Sequence, residues 1–524
     1  KLQVPPILPW SVSQPQRLHG KVPHLRCVAR PMDELQILPL EQLLTWAHGR
    51  GAGGSDVGSV ADTPPPVGHA ADAASVRLAA LLAEPWLYAV SRLLLSEPPG
   101  RLAELHRHFG LGEPSPGALR RGHWPVVAVR AVYEPALLRH VDDLLRQRAD
   151  ADGTPSVEGR TALMHCAMEG LCSVSVFLLE RRAQVDRVDA VGRTALHYAA
   201  VQQEHAIIRL LLSARADPGA RDVSGHDVVA LACILGFELS PCASGAREHR
   251  EQDLKESTTT RSRSRSPRHC DIPLQYPMSN RTTAVVEASM GPWPRTSHGT
   301  FLHDFLFARR PLLLRRDAKW PARLGSDPGS PWSREALAKR AGNSQVEVNT
   351  IPYGDDFGCQ DETLYTTLQS FLEVEMELFG ASGAALYLFT AVDNESQPLL
   401  AALIREELNG LPERLPAPFG QAPSSLRTSA LQFAVGGEGS GSPPHFHDDA
   451  FNVLLAGRKR WRLWPPNLAA MSRRRWAELE ESDLEGSVEV LQEAGDVVYI
   501  PAGWGHAVVN EAPFTVCVAV EFSG

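Results

Sequence analysis

The chain has 524 residues, which is too long for one hydrophobic core, so we expect about two to four domains. Its 43% hydrophobic and 22% charged residues are ordinary for a soluble globular protein, but 41 glycines and 41 prolines indicate that much of the chain forms loops or linkers. The net charge of −9 disfavours a general binder of nucleic acid or of anionic membranes, because such proteins need positive surface charge.

The first predicted region, residues 1–77, combines an N-terminal helix with a flexible linker. The apolar pattern predicts an amphipathic helix over Asp33–His48, and the following Gly49–Ala74 contains almost no large apolar residues. In residues 78–122, leucines and valines recur at helical spacing and prolines interrupt them. We therefore predict short packed helices in this second region.

Residues 123–240 contain a repeated sequence. The run GRTALMHCA at Gly159–Ala167 recurs 33 residues later as GRTALHYAA at Gly192–Ala200, and Gly225 continues the period. This pattern resembles the ankyrin repeat family, with Val126–Asp152 as a divergent first copy. Such a helix pair buries its apolar face only against stacked neighbours. The resemblance therefore implies a small α-helical stack whose exposed concave surface binds a protein substrate or partner. The alternative is that the repeats only brace the next domain.

Residues 241–282 are predicted to be a disordered linker, because this polar and charged stretch has too few apolar residues to form a core. It includes the run RSRSRSPR at Arg261–Arg268. That run resembles Arg-Ser segments that recruit RNA-processing factors. Apart from such factors, the sequence does not predict a nucleic-acid partner.

In residues 283–524 the pattern changes to short apolar runs separated by glycine and proline, which predicts an all-β barrel or jelly roll with flanking helices. The predicted strands are Pro311–Arg315, Val346–Thr350, Ala384–Phe389, Leu431–Val435, Asn452–Leu455, Arg460–Trp464, Val488–Leu491, Val497–Ile500 and Phe514–Glu521. The predicted helices are Ser333–Arg340, Thr363–Leu378 and Pro398–Leu408.

Three histidines in this last region have the residue type and spacing of metal ligands. His445 and His447 belong to the run HFHDD, and His506 follows 61 residues after His445. Side chains alternate across a strand, so an extended segment would place His445, His447 and Asp449 on one face. An antiparallel barrel can bring a further ligand from a distant strand. The pattern therefore predicts the facial triad of a non-haem Fe(II) oxygenase.

Several separated motifs resemble the Jumonji-C oxygenases, whose cupin-like fold is a double-stranded β-helix. They are SPPHFH at Ser442–His447, GRKRWRLWPP at Gly457–Pro466, GDVVYIPAGWGH at Gly495–His506, RPLLLR at Arg310–Arg315, WPA at Trp320–Ala322 and Tyr353–Gly354. The resemblance implies a 2-oxoglutarate-dependent dioxygenase that uses Fe(II) and 2-oxoglutarate to hydroxylate a protein side chain. The ankyrin repeats would then act as its protein-binding module.

The resemblance also implies roles for individual residues. His445 and His506 would bind the iron, and the compact charge of Lys459 would pair with the distal carboxylate of 2-oxoglutarate. The residues expected at positions that hold this co-substrate are Lys459, Ser442, Tyr387 and Asn452.

The second metal ligand is where this sequence departs from the family, which has His-x-Asp where this chain has His445-x-His447. In one alignment His447 takes the place of the aspartate, and in the other His447 and Asp449 form the His-x-Asp pair. The spacing to Gly457 slightly favours His447. Without a carboxylate to offset the charge of Fe(II), a site of three histidines would have lower affinity or turnover, which leaves an inactive ankyrin and Jumonji-C scaffold as an alternative. A histone lysine demethylase is a further alternative, disfavoured because no chromatin-reading zinc motif is visible.

The cysteines and apolar runs indicate where the protein acts. The eight cysteines are scattered without a C-x-x-C pair, which favours a reducing compartment over a disulfide framework. No apolar run approaches the roughly 20 residues that span a bilayer. We therefore expect a cytoplasmic or nuclear protein without a membrane partner, and the sequence leaves its oligomeric state open.

Overall fold

The structure is a computed structural model that describes most of a helical N-terminal half and of a β-rich C-terminal half. Described are residues 73–83, 86–96, 122–153, 158–237, 239, 286–289, 305–315, 329–351, 363–374, 376, 385–407 and 427–523. The predicted features that lie outside them are the helix Asp33–His48, the run Arg261–Arg268 and the motifs Trp320–Ala322 and Tyr353–Gly354. Within the described residues, no helix combines the length and the apolar character needed to cross a bilayer.

Helices form the N-terminal half. Two of them precede the repeats, as predicted, although the first starts at Ala73 rather than at residue 78. The helices that the structure describes in this half are α1 (Ala73–Ala83), α2 (Trp86–Ser96), α3 (Val126–Arg146), α4 (Ala162–Glu169), α5 (Cys172–Glu180), α6 (Ala195–Val201), α7 (His205–Ser213) and α8 (Val228–Leu235).

The duplicated sequence folds as two helix pairs, α4 with α5 and α6 with α7, and α8 starts a third unit. The first helices of successive units, α4, α6 and α8, pack on one another. Thr161 caps α4, since its hydroxyl accepts a hydrogen bond from the Met164 amide at 3.3 Å. The predicted first copy, Val126–Asp152, is not a helix pair. Its buried positions recur at helical spacing and no glycine interrupts them, so α3 is one continuous helix.

Antiparallel strands dominate the C-terminal half. The strands among the described residues are β1 (His123–Pro125), β2 (Val286–Ser289), β3 (Leu312–Arg315), β4 (Gln345–Asn349), β5 (Leu364–Thr367), β6 (Tyr387–Ala391), β7 (Arg427–Gly436), β8 (Gly441–His445), β9 (Asp449–Ala456), β10 (Arg458–Trp464), β11 (Ala470–Ser472), β12 (Val488–Glu493), β13 (Val497–Ile500), β14 (Gly505–Asn510) and β15 (Thr515–Ser523). In the part of the C-terminal half that the structure describes, they are accompanied by the helices α9 (Arg334–Ala341), α10 (Leu368–Glu373) and α11 (Pro398–Glu407).

Thirteen of these strands build two sheets that face each other, and β1 and β11 form a separate two-stranded sheet. The larger has the order β2-β3-β13-β9-β15-β7-β6-β4-β5 among the described strands, and the smaller has the order β12-β10-β14-β8. Trp461, Val498 and Val508 pack between the sheets, whereas Val497 and Val518 pack with α9, α10 and α11 on the outer face of the larger sheet. Val497 and Val498 are neighbours in β13 and still belong to different layers, as alternation along a strand requires. The result is the predicted jelly roll with flanking helices.

Every predicted strand overlaps an observed one, but one predicted helix is partly wrong. The first part of Thr363–Leu378 is strand β5, which pairs with β4, and only Leu368–Glu373 is helical. The sequence LYTT at Leu364–Thr367 is rich in residues that favour strands. Strands β8 and β14 were not predicted. The prolines of β8 weaken its strand pattern.

The two halves of the molecule share one hydrophobic core. Strand β1, which leads into α3, pairs with β11 so that Trp124 lies opposite Met471. Apolar side chains of the C-terminal half pack in the same cluster as those of helices α1 to α8; they are Ala308, Ile351, Phe446, Ala469 and Met471. The Arg193 guanidinium also donates to the carbonyl of Phe307 at 2.7 Å. The helical N-terminal half, which contains the ankyrin-like repeats and is hereafter called the ankyrin half, therefore lies directly against the β-rich C-terminal half.

Candidate metal and co-substrate site

A pocket opens between the two sheets, and it brings together residues that are far apart in sequence. Strands β8, β10 and β14 of the smaller sheet supply one wall, and strands β6, β7, β9 and β15 of the larger sheet supply the other. Apart from the alternative ligand Asp449, the residues predicted to bind iron or 2-oxoglutarate line this pocket; they are His445, His447, His506, Lys459, Ser442, Tyr387 and Asn452.

The three histidines form one cluster. Their candidate ligand atoms all lie within 4.8 Å of one another. The ring centroids of His445 and His506 are 4.1 Å apart, and that of His447 lies 4.7 Å from His506. Pairing between β8 and β14 places His445 directly opposite His506. His447 lies beyond the end of β8, where its carbonyl accepts a hydrogen bond from the Gly503 amide at 3.0 Å.

Backbone carbonyls orient all three rings. The Nδ1 atoms of His445, His447 and His506 lie 2.8, 2.6 and 3.1 Å from the carbonyl oxygens of Pro443, Asp448 and Trp504. A carbonyl can only accept, so each Nδ1 donates a proton to it and Nε2 is the nitrogen that remains to bind a metal. Such an outer contact is the usual companion of a histidine that binds a metal through Nε2.

The electrostatics of the cluster also fit a metal. Burial lowers the pKa of His445 to about 3, and a positive charge on His447 would lower it further. Burial likewise holds the pKa of His506 well below its usual range. The buried imidazoles are therefore neutral at physiological pH, which is the form that binds a divalent cation. Three imidazole nitrogen donors fit a borderline transition metal such as Fe(II).

Asp449, the alternative second ligand, has a different environment. Its Oδ1 accepts hydrogen bonds from the Tyr499 hydroxyl at 2.6 Å and from the Ala502 amide at 3.1 Å. The expectation that one extended segment presents His445, His447 and Asp449 on the same face is wrong. The chain leaves the smaller sheet at His445 and enters the larger sheet at Asp449, so the segment between them turns from one sheet to the other. The geometry favours His447.

Lys459 lies farther along the pocket and is only 2% exposed. Its ammonium donates to the Tyr387 hydroxyl at 3.0 Å and to the Cys517 sulfur at 2.9 Å. Burial alone would lower the pKa of Lys459, but the thiol and the phenol raise it above its ordinary value, so the ammonium stays charged. Neither partner is a carboxylate. This buried cation is therefore suited to neutralisation by a bound anion.

Asn452 adds a polar atom that faces the same pocket. Its Nδ2 is 3.4 Å from the Cys517 sulfur, and its buried Oδ1 has no hydrogen-bond partner among the residues that the structure describes. Buried polar atoms are nearly always satisfied, so an orphaned one in a pocket indicates a place for a ligand or for water. The donor and acceptor set therefore fits a dicarboxylate bound between Lys459 and the histidine cluster.

Strand β15 contributes pocket residues that the sequence analysis missed. Cys517 contacts Lys459, and Glu521, which is 5% exposed, lines the wall and accepts a hydrogen bond from Gln432 at 3.0 Å. The alternation of valines in the run TVCVAVEF could have predicted these residues. Val516, Val518 and Val520 pack on the outer face of the sheet, so the residues between them face the pocket.

Comparison with known families identifies both halves. A family model of ankyrin repeats, in three copies, matches residues 129–222, and a model of the JmjC domain matches residues 421–523. JmjC domain-containing protein 8 of Homo sapiens is 33% identical over 106 residues, which is 18% of this chain and 38% of the relative. The 2-oxoglutarate and iron-dependent oxygenase JMJD4 of Danio rerio is 32% identical over 99 residues, covering 14% of this chain and 22% of the relative.

The alignments thus span well under half the length of these relatives. A solved structure of YcfD, a ribosomal oxygenase from Escherichia coli in complex with cobalt and succinic acid, aligns with a TM-score of 0.27 and 20% identity over 43% of this chain and 51% of that protein. The ankyrin model covers helix α3 and the two helix pairs, and the JmjC model covers strands β7 to β15. Ankyrin repeats over residues 129–222 are therefore followed by a JmjC domain over residues 421–523.

Proposed function

We propose that this protein is an Fe(II)- and 2-oxoglutarate-dependent oxygenase that hydroxylates a protein side chain. The observation that carries the proposal is that one pocket contains a cluster of three histidines and a buried lysine whose hydrogen-bond partners among the described residues are Tyr387 and Cys517. The match of residues 421–523 to the JmjC-domain model supports it, as does a relative named as a 2-oxoglutarate and iron-dependent oxygenase.

In this proposal, His445, His447 and His506 hold Fe(II) through their Nε2 atoms. Lys459 receives the distal carboxylate of 2-oxoglutarate, and Tyr387, Ser442 and Asn452 orient the co-substrate. The bound metal supplies oxidation of a substrate C–H bond by O₂, coupled to conversion of 2-oxoglutarate to succinate and CO₂. The protein contributes a largely buried pocket in which each of these groups is already oriented.

The ankyrin half supports a protein as the substrate rather than a small molecule. Exposed valines lie at the loop tips between the repeats, with Val188, Val191 and Val223 exposed to 55%, 37% and 69%. The Val223 amide donates to the Val191 carbonyl at 2.9 Å, which places two of these valines side by side. An exposed apolar patch of this kind is suited to protein recognition.

The test is an anaerobic Fe(II) titration of the purified chain, followed by measurement of succinate released from 2-oxoglutarate after addition of O₂. We expect about one metal ion per chain and succinate release that depends on iron. His506→Ala should abolish both, because a buried ligand is lost. Wild-type protein that takes up no iron and releases no succinate would instead be the inactive scaffold.

The class of substrate requires a second readout. Candidate protein substrates incubated with the iron-loaded enzyme should gain one oxygen atom, which mass spectrometry detects. Loss of methyl groups from methyl-lysine peptides, with release of formaldehyde, would support a lysine demethylase and contradict the proposed hydroxylation.

A further inference from the structure

We infer that the ankyrin half positions the metal-binding segment, and that Phe446 is the residue through which it does so. The inference rests on the proposed metal site, because Phe446 stands between the two candidate ligands His445 and His447. It makes the ankyrin half part of the structural support of the site as well as a docking surface.

Phe446 points away from the pocket. His445 and His447 line the pocket, whereas the Phe446 ring is 6% exposed and belongs to the apolar core of helices α1 to α8. It packs edge to face on Tyr88 of α2, with ring centroids 6.3 Å apart and an interplanar angle of 72°. The main chain that carries two candidate ligands is therefore anchored by a side chain buried in the other half of the molecule.

A chain of hydrogen bonds leads from the repeats to His447 by a second route. Arg193 pairs with Asp222 of the next repeat at 3.1 Å and donates to the carbonyl of Phe307. Two residues farther on, the Arg309 guanidinium donates to the carbonyl of Ala502 at 3.0 Å.

Gly503 follows Ala502 in the chain, and its amide donates a hydrogen bond to the carbonyl of His447 at 3.0 Å. The Arg309 carbonyl also accepts from the indole of Trp504 at 2.8 Å, and the Trp504 carbonyl is the partner of His506 Nδ1. The segment around Arg309 therefore connects the repeats to the backbone that holds two of the three histidines.

His447 is the ligand that depends most on these contacts. His445 and His506 are opposite each other in the β8 and β14 ladder, whereas His447 lies between strands and is only half-buried. Removing a large buried side chain leaves a cavity into which its segment relaxes. A shift of about 0.5 Å is enough to weaken a metal site, and loss of an outer contact commonly lowers metal affinity about 10- to 100-fold.

The test uses Co(II) as the probe, because its visible absorption reports both affinity and ligand geometry without turnover. We expect Phe446→Ala to weaken Co(II) binding about tenfold or more and to change the spectrum. Tyr88→Leu, on the ankyrin side of the contact, should weaken binding in the same direction. The double variant should be no weaker than Phe446→Ala alone, because both substitutions remove one contact.

The matched control is Phe433→Ala, a fully buried phenylalanine in the layer between the larger sheet and its helices. It should lower the thermal midpoint without changing Co(II) affinity. If Phe446→Ala does not fold, Tyr88→Leu and its spectrum still decide the question. Folded variants with wild-type Co(II) affinity and spectrum would overturn the inference. Wild-type protein that binds Co(II) but releases no succinate would overturn only the proposed oxygenase activity.

Discussion

A buried ammonium whose partners are a phenol and a thiol is electrostatically unfavourable until an anion binds it, and Lys459 is in this position. We expect Lys459→Met to weaken 2-oxoglutarate binding about 100-fold or more, because methionine keeps the bulk and removes the charge. Calorimetric titration of Co(II)-loaded protein measures this. Co(II) binding itself should be unchanged, because the histidines are not altered.

The control for this substitution is the preceding residue in the same strand. Arg458 is exposed and pairs with Glu511 at 3.1 Å, so its side chain does not reach the pocket. Arg458→Met should leave 2-oxoglutarate affinity as in the wild type. Equal affinity of Lys459→Met and wild-type protein would show that the co-substrate binds elsewhere.

At the scale of single residues, the sequence predicts the candidate site residues whose chemistry follows from residue type alone. The structure brings Lys459 into one pocket with His445 and His506, although all three are separated along the chain. The choice between His447 and Asp449 could not be made from the sequence, because it depends on where the chain passes from one sheet to the other. That crossing is a property of strand pairing, which no short motif encodes.

At the scale of elements, helix α4 ends at Glu169, a half-buried residue whose Oε2 atom is buried and has no hydrogen-bond partner among the described residues. Burial raises its pKa from 4.5 to about 7, against the lowering effect of Arg130. The folded state therefore keeps a proton that the unfolded state has released. The contribution of Glu169 to the free energy of unfolding is therefore most favourable below pH 4.5. It becomes less favourable as the pH rises to about 7 and is constant above that pH.

We therefore expect Glu169→Gln to raise the free energy of unfolding at pH 8 by on the order of 2 kcal/mol and to have little effect at pH 4.5. Urea unfolding at both pH values measures the difference between variant and wild type. Glu180→Gln is the matched control, because Glu180 ends α5 but is exposed. A stabilisation by Glu169→Gln that does not vary with pH would contradict this explanation.

The elements that the sequence predicted well are those with a clear period. The 33-residue repeat predicted α4 to α7, and alternation predicted most strands of the two sheets. Strand β8 was missed because two of its five residues are proline, although β8 ends in a candidate ligand. Repeated loop aspartates were also missed. Asp189 accepts from the Arg193 amide at 2.8 Å, and Asp222, in the equivalent position, accepts from the His226 amide at 3.0 Å.

At the scale of the whole molecule, the sequence predicted two bodies joined by a linker over residues 241–282. Local patterns cannot say how two such bodies pack, because contacts between them depend on the relative placement of surfaces that are distant in sequence. The structure joins them through the pairing of β1 with β11 and through a core that includes Phe446, Ala469 and Met471. These buried contacts are those of one cooperative unit rather than of two separate domains.

Cutting the chain should therefore not separate its halves. A protease site introduced into residues 241–282 and then cleaved should leave two fragments that elute together in gel filtration and unfold in one thermal transition, because the shared core holds them without a covalent link. Met471→Asp should separate the cleaved fragments, since it buries an unpaired carboxylate opposite Trp124 at a cost of several kcal/mol. Leu468→Asp, at a nearby position that is 44% exposed, should have no such effect. Fragments of the otherwise unaltered protein that elute separately would contradict the shared core, and with it the support that the ankyrin half gives to the metal site.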